Sequence, residues 1–221
     1  MATSESNEGN AGSTHGAGRR RSRLRRQFGQ PSGLLGALVG RLMARKNAAM
    51  NRAAVELLDV RSTDRVLEIG FGPGVAVQEL SSRATEGLVA GIDPSDVMMR
   101  QATRRNQQAI DAGRVVLQFG TAAALPFDNE TFDKVLAVNT FHHWGSTETG
   151  LLEVRRVIRP GGTLLLGLRM ALAQPRILSA PGWTDEQLDE VRAQLLGAGF
   201  RDVHTVERTA DRRITCMFAT R

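Results

Sequence analysis

The stretch Arg65-Val66-Leu67-Glu68-Ile69-Gly70-Phe71-Gly72-Pro73-Gly74 decides how this chain is read. Its first half is a short apolar run of strand type, its second half sets glycine at alternate positions, and a helical pattern starts at Val75. A strand that ends in glycines at a helix N-terminus lets backbone N–H groups approach a ligand closely. No Cβ stands in the way, and the first amides of the helix have no intrahelical partner. The turn is therefore expected to form a nucleotide-type pocket.

Composition bounds what surrounds that pocket. A chain of 221 residues holds one α/β domain plus a tail. Of the formal charge of +6, four units belong to residues 1–33, where six Arg face two Glu, and the remainder is nearly neutral. That tail is rich in Gly, Ser, Asn and Arg and is expected to be disordered, because it has too few large apolar side chains to offset ordering entropy. The run Arg19-Arg20-Arg21-Ser22-Arg23-Leu24-Arg25-Arg26 suits phosphates or anionic lipid, and equally a solvated tail with no specific partner. A single cysteine, Cys216, excludes an intrachain disulfide and fits a reducing, cytoplasmic setting. The four His and one Cys show no metal-ligand spacing apart from the adjacent His142-His143, so no metal is expected. No apolar run is long enough for a membrane span. Arg25-Arg26-Gln27-Phe28 followed by an apolar stretch faintly resembles a twin-arginine export signal, but Arg41, Arg45 and Lys46 interrupt it and no small-x-small cleavage site follows.

The glycine spacing separates two classes of nucleotide. The dinucleotide fingerprint G-x-G-x-x-G places its third glycine for helix packing and its pyrophosphate on the helix amides. Here Gly70, Gly72 and Gly74 alternate, and Glu68 stands just ahead of them. A carboxylate there crowds a pyrophosphate but accepts hydrogen bonds from a cationic, amino-acid-like group. Glu68 to Gly74 resembles motif I, E/D-x-G-x-G-x-G, of the class I S-adenosylmethionine-dependent methyltransferases. The resemblance implies that Glu68, Gly70, Phe71, Gly72 and Gly74 meet S-adenosyl-L-methionine.

The rest of the chain continues the series. Met50, Ala53, Ala54, Leu57 and Leu58 lie at helical spacing on one face, so residues 34–60 read as a helical cap. Arg41 to Asn51 either reach the cofactor's carboxylate or only cover the core. Val75 to Ala84 reads as a crossover helix, and Gly87 to Asp93 as a second strand that ends on an acid. In doubly wound folds an acid there lies beside the first turn and accepts from the ribose hydroxyls. Asp93 is assigned that role, with Pro94 and Met98 as apolar contacts to ribose and adenine. Ser95 is placed to cap the helix that runs to Asp111.

Val115 to Phe119 reads as a third strand, leading to Gly120-Thr121-Ala122-Ala123-Ala124-Leu125-Pro126-Phe127. This resembles the family's adenine-holding G-D-A-x-x-L-P-F segment, with Thr121 where an Asp is usual. A hydroxyl still accepts the adenine amino proton, more weakly than a carboxylate, and the Ala122 backbone takes more of the task. Phe132 to Asn139 is the fourth strand, delivering Asn139-Thr140-Phe141-His142-His143-Trp144 to the motif I edge. The family meets the methionine portion and the acceptor there, so Asn139 is assigned to the cofactor. His142 and His143 are candidate catalytic bases, or else a helix cap and packing. The segment lacks the Asn-Pro-Pro-aromatic signature of nucleic-acid amino methyltransferases, which disfavours nucleic acid as acceptor.

A helix from Ser146 to Arg159 is expected to close at Pro160-Gly161-Gly162, and Arg156 to Leu164 resembles the family's R-x-L-K-P-G-G-x-L segment before a fifth strand, 163–168. A loop follows over 169–183. Thr184-Asp185-Glu186-Gln187 is a capping box opening a helix, and two closing strands are read at 203–208 and 214–220. The expected architecture is α/β: a Rossmann-like, doubly wound, seven-stranded, mostly parallel sheet with helices on both faces. It spans residues 34–221, with the last strand antiparallel by resemblance. The expected activity is methyl transfer from S-adenosyl-L-methionine to a small-molecule acceptor at O, N or C, with a homodimer left open. An RNA-directed enzyme using the basic tail and a non-catalytic cofactor-binding module are the alternatives.

Overall fold

The computed structural model describes residues 47–171, 182–209 and 213–221. The expected tail over 1–33, the first part of the cap over 34–46, and the loop residues Pro175 and Pro181 lie outside the described residues.

A helix over 47–58 (α1) precedes β1 (Arg65–Ile69), α2 (Val75–Arg83), β2 (Leu88–Asp93), α3 (Asp96–Asp111) and β3 (Val115–Phe119). Then come β4 (Phe132–Val138), a 3-10 turn (Phe141–His143), α4 (Thr147–Val157), β5 (Ile158–Arg169), α5 (Asp185–Gly197), β6 (Arg201–Thr209) and β7 (Arg213–Thr220). The strands form one sheet in the order β3-β2-β1-β4-β5-β7-β6. The first five pair in parallel, while β7 runs antiparallel to both β5 and β6. The strand order reverses between β1 and β4, and open α/β sheets bind ligands in the crevice at such a reversal.

Two cores cover the two faces, as parallel strands buried on both sides require. On one face Leu67, Phe132, Phe141, Leu151, Leu164, Leu166 and Phe200 pack under α4 and α5. On the other, α1 contributes Met50, Ala54, Val55 and Leu58 beside Val66, Phe71, Leu80, Met98 and Leu136. The apolar face read for α1 is the buried one, with Ala53 and Leu57 at its margin. Among the described residues, no helix is long and apolar enough to cross a membrane.

Two helix ends show how local chemistry sets boundaries. Ser95 caps α3 by accepting from the Met98 N–H, and Thr184 with Gln187 forms the reciprocal capping box of α5. The end of α4 differs from expectation. The helix stops at Val157 and β5 begins at Ile158, so Pro160-Gly161-Gly162 lies inside the strand instead of forming a closing turn. Ile158 already pairs with Phe132, and the register shifts between Phe132 and Lys134. The irregularity needs Gly161 at φ 78 and Gly162, where a Cβ would stand 2.7 Å from the Asp133 carbonyl oxygen.

One polar tie fastens α1 to the sheet. The Lys134 Nζ lies 3.0 Å from Asp64 Oδ2 and donates to the Leu58 and Asp59 carbonyls at the helix end, and both charged side chains are largely buried. Removing one member of a buried pair leaves the other charge desolvated and unpaired. Lys134→Met is therefore expected to lower the unfolding free energy by about 3 kcal/mol, read as a shifted urea midpoint with unchanged slope.

Candidate active site

The glycine turn leaves β1 in a left-handed conformation at Gly70 (φ 77), Gly72 (φ 51) and Gly74 (φ 75), which explains the alternate spacing. Two of the three also lack room for a side chain. A Cβ on Gly70 would meet Thr140 at 2.6 Å, and one on Gly74 would meet Ala102 at 2.7 Å. Over Gly72 nothing lies within 4 Å, so its backbone faces open space. Phe71 is buried in the core and anchors the turn from below.

Asp93 holds this turn in place. Its Oδ2 accepts the Gly72 N–H at 2.9 Å, and its Oδ1 accepts the Ser95 N–H at 2.9 Å. Burial raises its pKa and the two amides oppose that rise. Each oxygen keeps a second lone pair, so the carboxylate serves both the turn and a hydroxyl-bearing ligand. Pro94 beside it is exposed, whereas Met98 is 2% exposed and packs in the core.

Glu68 is buried, at 3% exposure, beneath the same turn. It accepts the backbone N–H of Val77 in the first turn of α2, a helix whose N-terminus no side chain caps. Its Oε2 has no partner. Burial pushes its pKa well up and the neighbouring Asp93 pushes it further. A buried carboxylate oxygen without a donor is costly unless a ligand supplies one. The cationic amino group of S-adenosylmethionine fits that requirement, and the open face of Gly72 fits a ligand lying across the turn.

On the other side of the sheet reversal, Asn139 leaves β4 at φ 55, and its N–H donates to the Gly167 carbonyl at 2.8 Å. Asn is one of the few residues that adopt this conformation readily. Thr140 donates through Oγ1 to the Ile69 carbonyl at 2.9 Å, tying the ends of β4 and β1 together. Phe141 is buried, and the 3-10 turn presents His142 and His143 outward, with ring centroids 3.9 Å apart. Although solvent reaches both rings, packing around them and the neighbouring His143 and Arg169 lower the His142 pKa to about 4. Burial also lowers that of His143. Thr121 is exposed, Ala122 is buried, and the loop closes through the Ala124 N–H donating to the Thr121 carbonyl. Trp144 lies at the same loop, packed edge-on to Phe141 with its indole N–H buried and without a partner.

Three residues that sequence reading missed support the site. Asn106 Nδ2 donates to the Gly74 carbonyl, Arg105 Nε donates to the Pro73 carbonyl, and Arg169 acts on His142 from the end of β5. A buried Asn on the inward face of α3 was a usable signal, since buried polar groups are there to bond something. The two arginines carried none in their local sequence.

A buried acid under an alternating glycine turn, a second acid at the next strand tip and an open crevice between them define a binding site for a cationic nucleoside. The family model described as "Methyltransferase domain" matches residues 67–166. An uncharacterized methyltransferase of Bacillus subtilis is 30% identical over 167 residues, covering 75% of this chain and 87% of the relative. The 27-O-demethylrifamycin SV methyltransferase of Amycolatopsis mediterranei is 31% identical over 153 residues, covering 65% of this chain and 56% of the relative. A solved S-adenosylmethionine-dependent methyltransferase of Aquifex aeolicus shares the fold at TM-score 0.66 and 21% identity, covering 80% of this chain and 92% of that one. The chain belongs to the class I S-adenosylmethionine-dependent methyltransferase family.

The raised pKa of Glu68 makes a stability prediction with a definite sign. Between the ordinary carboxylate range and the raised value the folded chain binds more protons than the unfolded chain, so stability falls as pH rises through the folded pKa. Glu68→Gln removes that cost. The ligand-free variant is expected to melt above the wild type at pH 7, by about 2–4 °C per kcal/mol regained, with the difference shrinking toward pH 4 in a calorimetric pH series.

Proposed function

We propose that this chain transfers the methyl group of S-adenosylmethionine to a small-molecule acceptor. The observation that carries the reading is the unpartnered, buried Oε2 of Glu68 under the open face of Gly72. When bound, the cofactor supplies a methyl carbon made electrophilic by its sulfonium. Glu68 holds the cationic amino group, and the Gly70–Gly74 backbone lies along the methionine portion. Asp93 accepts from the ribose hydroxyls through its remaining lone pairs. Pro94 lies against the ribose, with Met98 behind it. Thr121 and the Ala122 backbone face the adenine, and the turn at Asn139 borders the methionine portion. Little acid–base apparatus is then required, because alignment and exclusion of water supply most of the acceleration. His142 or His143 stands where an acceptor's proton leaves. The relative from Amycolatopsis mediterranei, whose name specifies a 27-O-demethyl substrate, supports a small-molecule acceptor.

Calorimetric titration of the full chain with S-adenosylhomocysteine tests the cofactor site. Asp93→Ala is expected to weaken binding by about 10–100-fold, the loss of hydrogen bonds to a charged group together with the turn they hold. Pairing with the amino group needs ionised Glu68, so binding releases a proton, and affinity falls as pH is lowered through the raised Glu68 pKa. The proton appears as a dependence of the heat on buffer ionisation enthalpy. No uptake of S-adenosylhomocysteine by the wild type, or unchanged uptake by Asp93→Ala, overturns the reading. A mass-spectrometric screen of metabolites against the donor then identifies the acceptor.

A further inference from the structure

The acceptor side of the site has its own electrostatic character. The 3-10 turn places His142 and His143 beyond the tip of β4, and the neighbouring strand β5 ends at Arg169. The chain returns to this corner at Trp183, whose N–H donates to the Arg169 carbonyl and whose ring stands 6.3 Å from His142, edge to face, and 6.0 Å from Phe141. Arg169 is half-buried with its Nε enclosed. We infer that this corner takes an acceptor whose reacting atom is the oxygen of an acidic hydroxyl on a flat ring, a phenol or enol, held as its anion by Arg169 beside the two imidazoles and Trp183. The inference rests on the methyltransferase reading of the site given above.

The argument runs through charge. The groups acting on His142 are His143 and Arg169, and neither Glu68 nor Asp93 is among them. With its pKa at about 4, His142 is neutral at neutral pH, and the downward shift at His143 acts in the same direction. Arg169 is then the standing charge of the corner, since a guanidinium does not titrate in this range. An imidazole so disfavoured as a cation is a weak base and cannot take the proton of an aliphatic alcohol or an ammonium at a useful rate. A positive corner repels an ammonium and lowers the pKa of a hydroxyl placed against it. The acceptor must therefore bring its own acidity. In the transfer, the acceptor proton goes to water before the methyl moves. The oxygen–carbon bond forms as the carbon–sulfur bond breaks, and that electron pair stays on sulfur.

The test uses 4-nitrophenol, whose visible absorbance reports its ionisation, and 4-nitroaniline, which has the same shape and no comparably acidic proton. Both are titrated into the full chain saturated with S-adenosylhomocysteine. Bound 4-nitrophenol is expected to ionise about one pH unit lower than free, equivalent to about tenfold preference for the phenolate, while 4-nitroaniline binds more weakly. Arg169→Gln is expected to abolish the shift and Arg169→Lys to keep most of it, with melting curves confirming that each variant is folded. If Arg169→Gln does not fold, the wild-type preference and Arg169→Lys still decide. An unshifted nitrophenol, nitroaniline bound as tightly as nitrophenolate, or a shift that survives Arg169→Gln overturns the inference. Those outcomes with S-adenosylhomocysteine uptake intact leave the cofactor site standing, whereas loss of that uptake removes both.

Discussion

The carboxylate of Asp93 bridges two backbone amides that lie 21 and 2 residues away in sequence, and the geometry of the cofactor side depends on that bridge. Without it the glycine turn has little to prefer one conformation over another, because left-handed glycines resist ordering more than other residues do. With it, Gly72 is fixed before any ligand arrives, and part of the ordering cost is met during folding instead of binding. Asn106 and Arg105 complete the support from α3 by holding the carbonyls of Gly74 and Pro73. The turn thus sits between a carboxylate that grips its N–H groups and side chains that grip its C=O groups.

Charge divides the crevice along the line where the strand order reverses. On the β1 and β2 side, two buried acids raise each other's cost of ionisation and make that side receptive to a cation. On the β4 and β5 side, Arg169 and two imidazoles held neutral make the opposite environment. Thr140 joins the two halves by bonding the Ile69 carbonyl and filling the space above Gly70. A single small side chain therefore fixes the separation of two surfaces with opposite preferences.

Much of this was legible in the sequence because it follows from local rules. The strand–glycine–helix unit, the seven strands and the caps at Ser95 and Thr184 rest on periodicity and on residues within a few positions of one another. The end of α4 was not legible, since Pro160-Gly161-Gly162 reads as a stop until the pairing of Ile158 with Phe132 draws it into the sheet. Site residues divide the same way. Glu68 is visible from its motif, but its unpartnered oxygen depends on how β1 packs under α2. Met98 follows Pro94 closely in sequence yet points into the core, because the inward stripe of α3 claims that position. Arg169 is one of 29 basic residues, and only the folding of β5 beside β4 brings it to a histidine 27 positions earlier.

The bridge between Met170 and Trp183, with the Ala171 N–H donating to the Trp183 carbonyl and the Trp183 N–H to the Arg169 carbonyl, closes the chain on itself at the acceptor corner. Whatever length of polypeptide separates those two points, it departs from and returns to one clasp. Evolution or a protein engineer can therefore exchange that excursion as a cassette, retargeting the enzyme without disturbing the turn that holds its methyl donor.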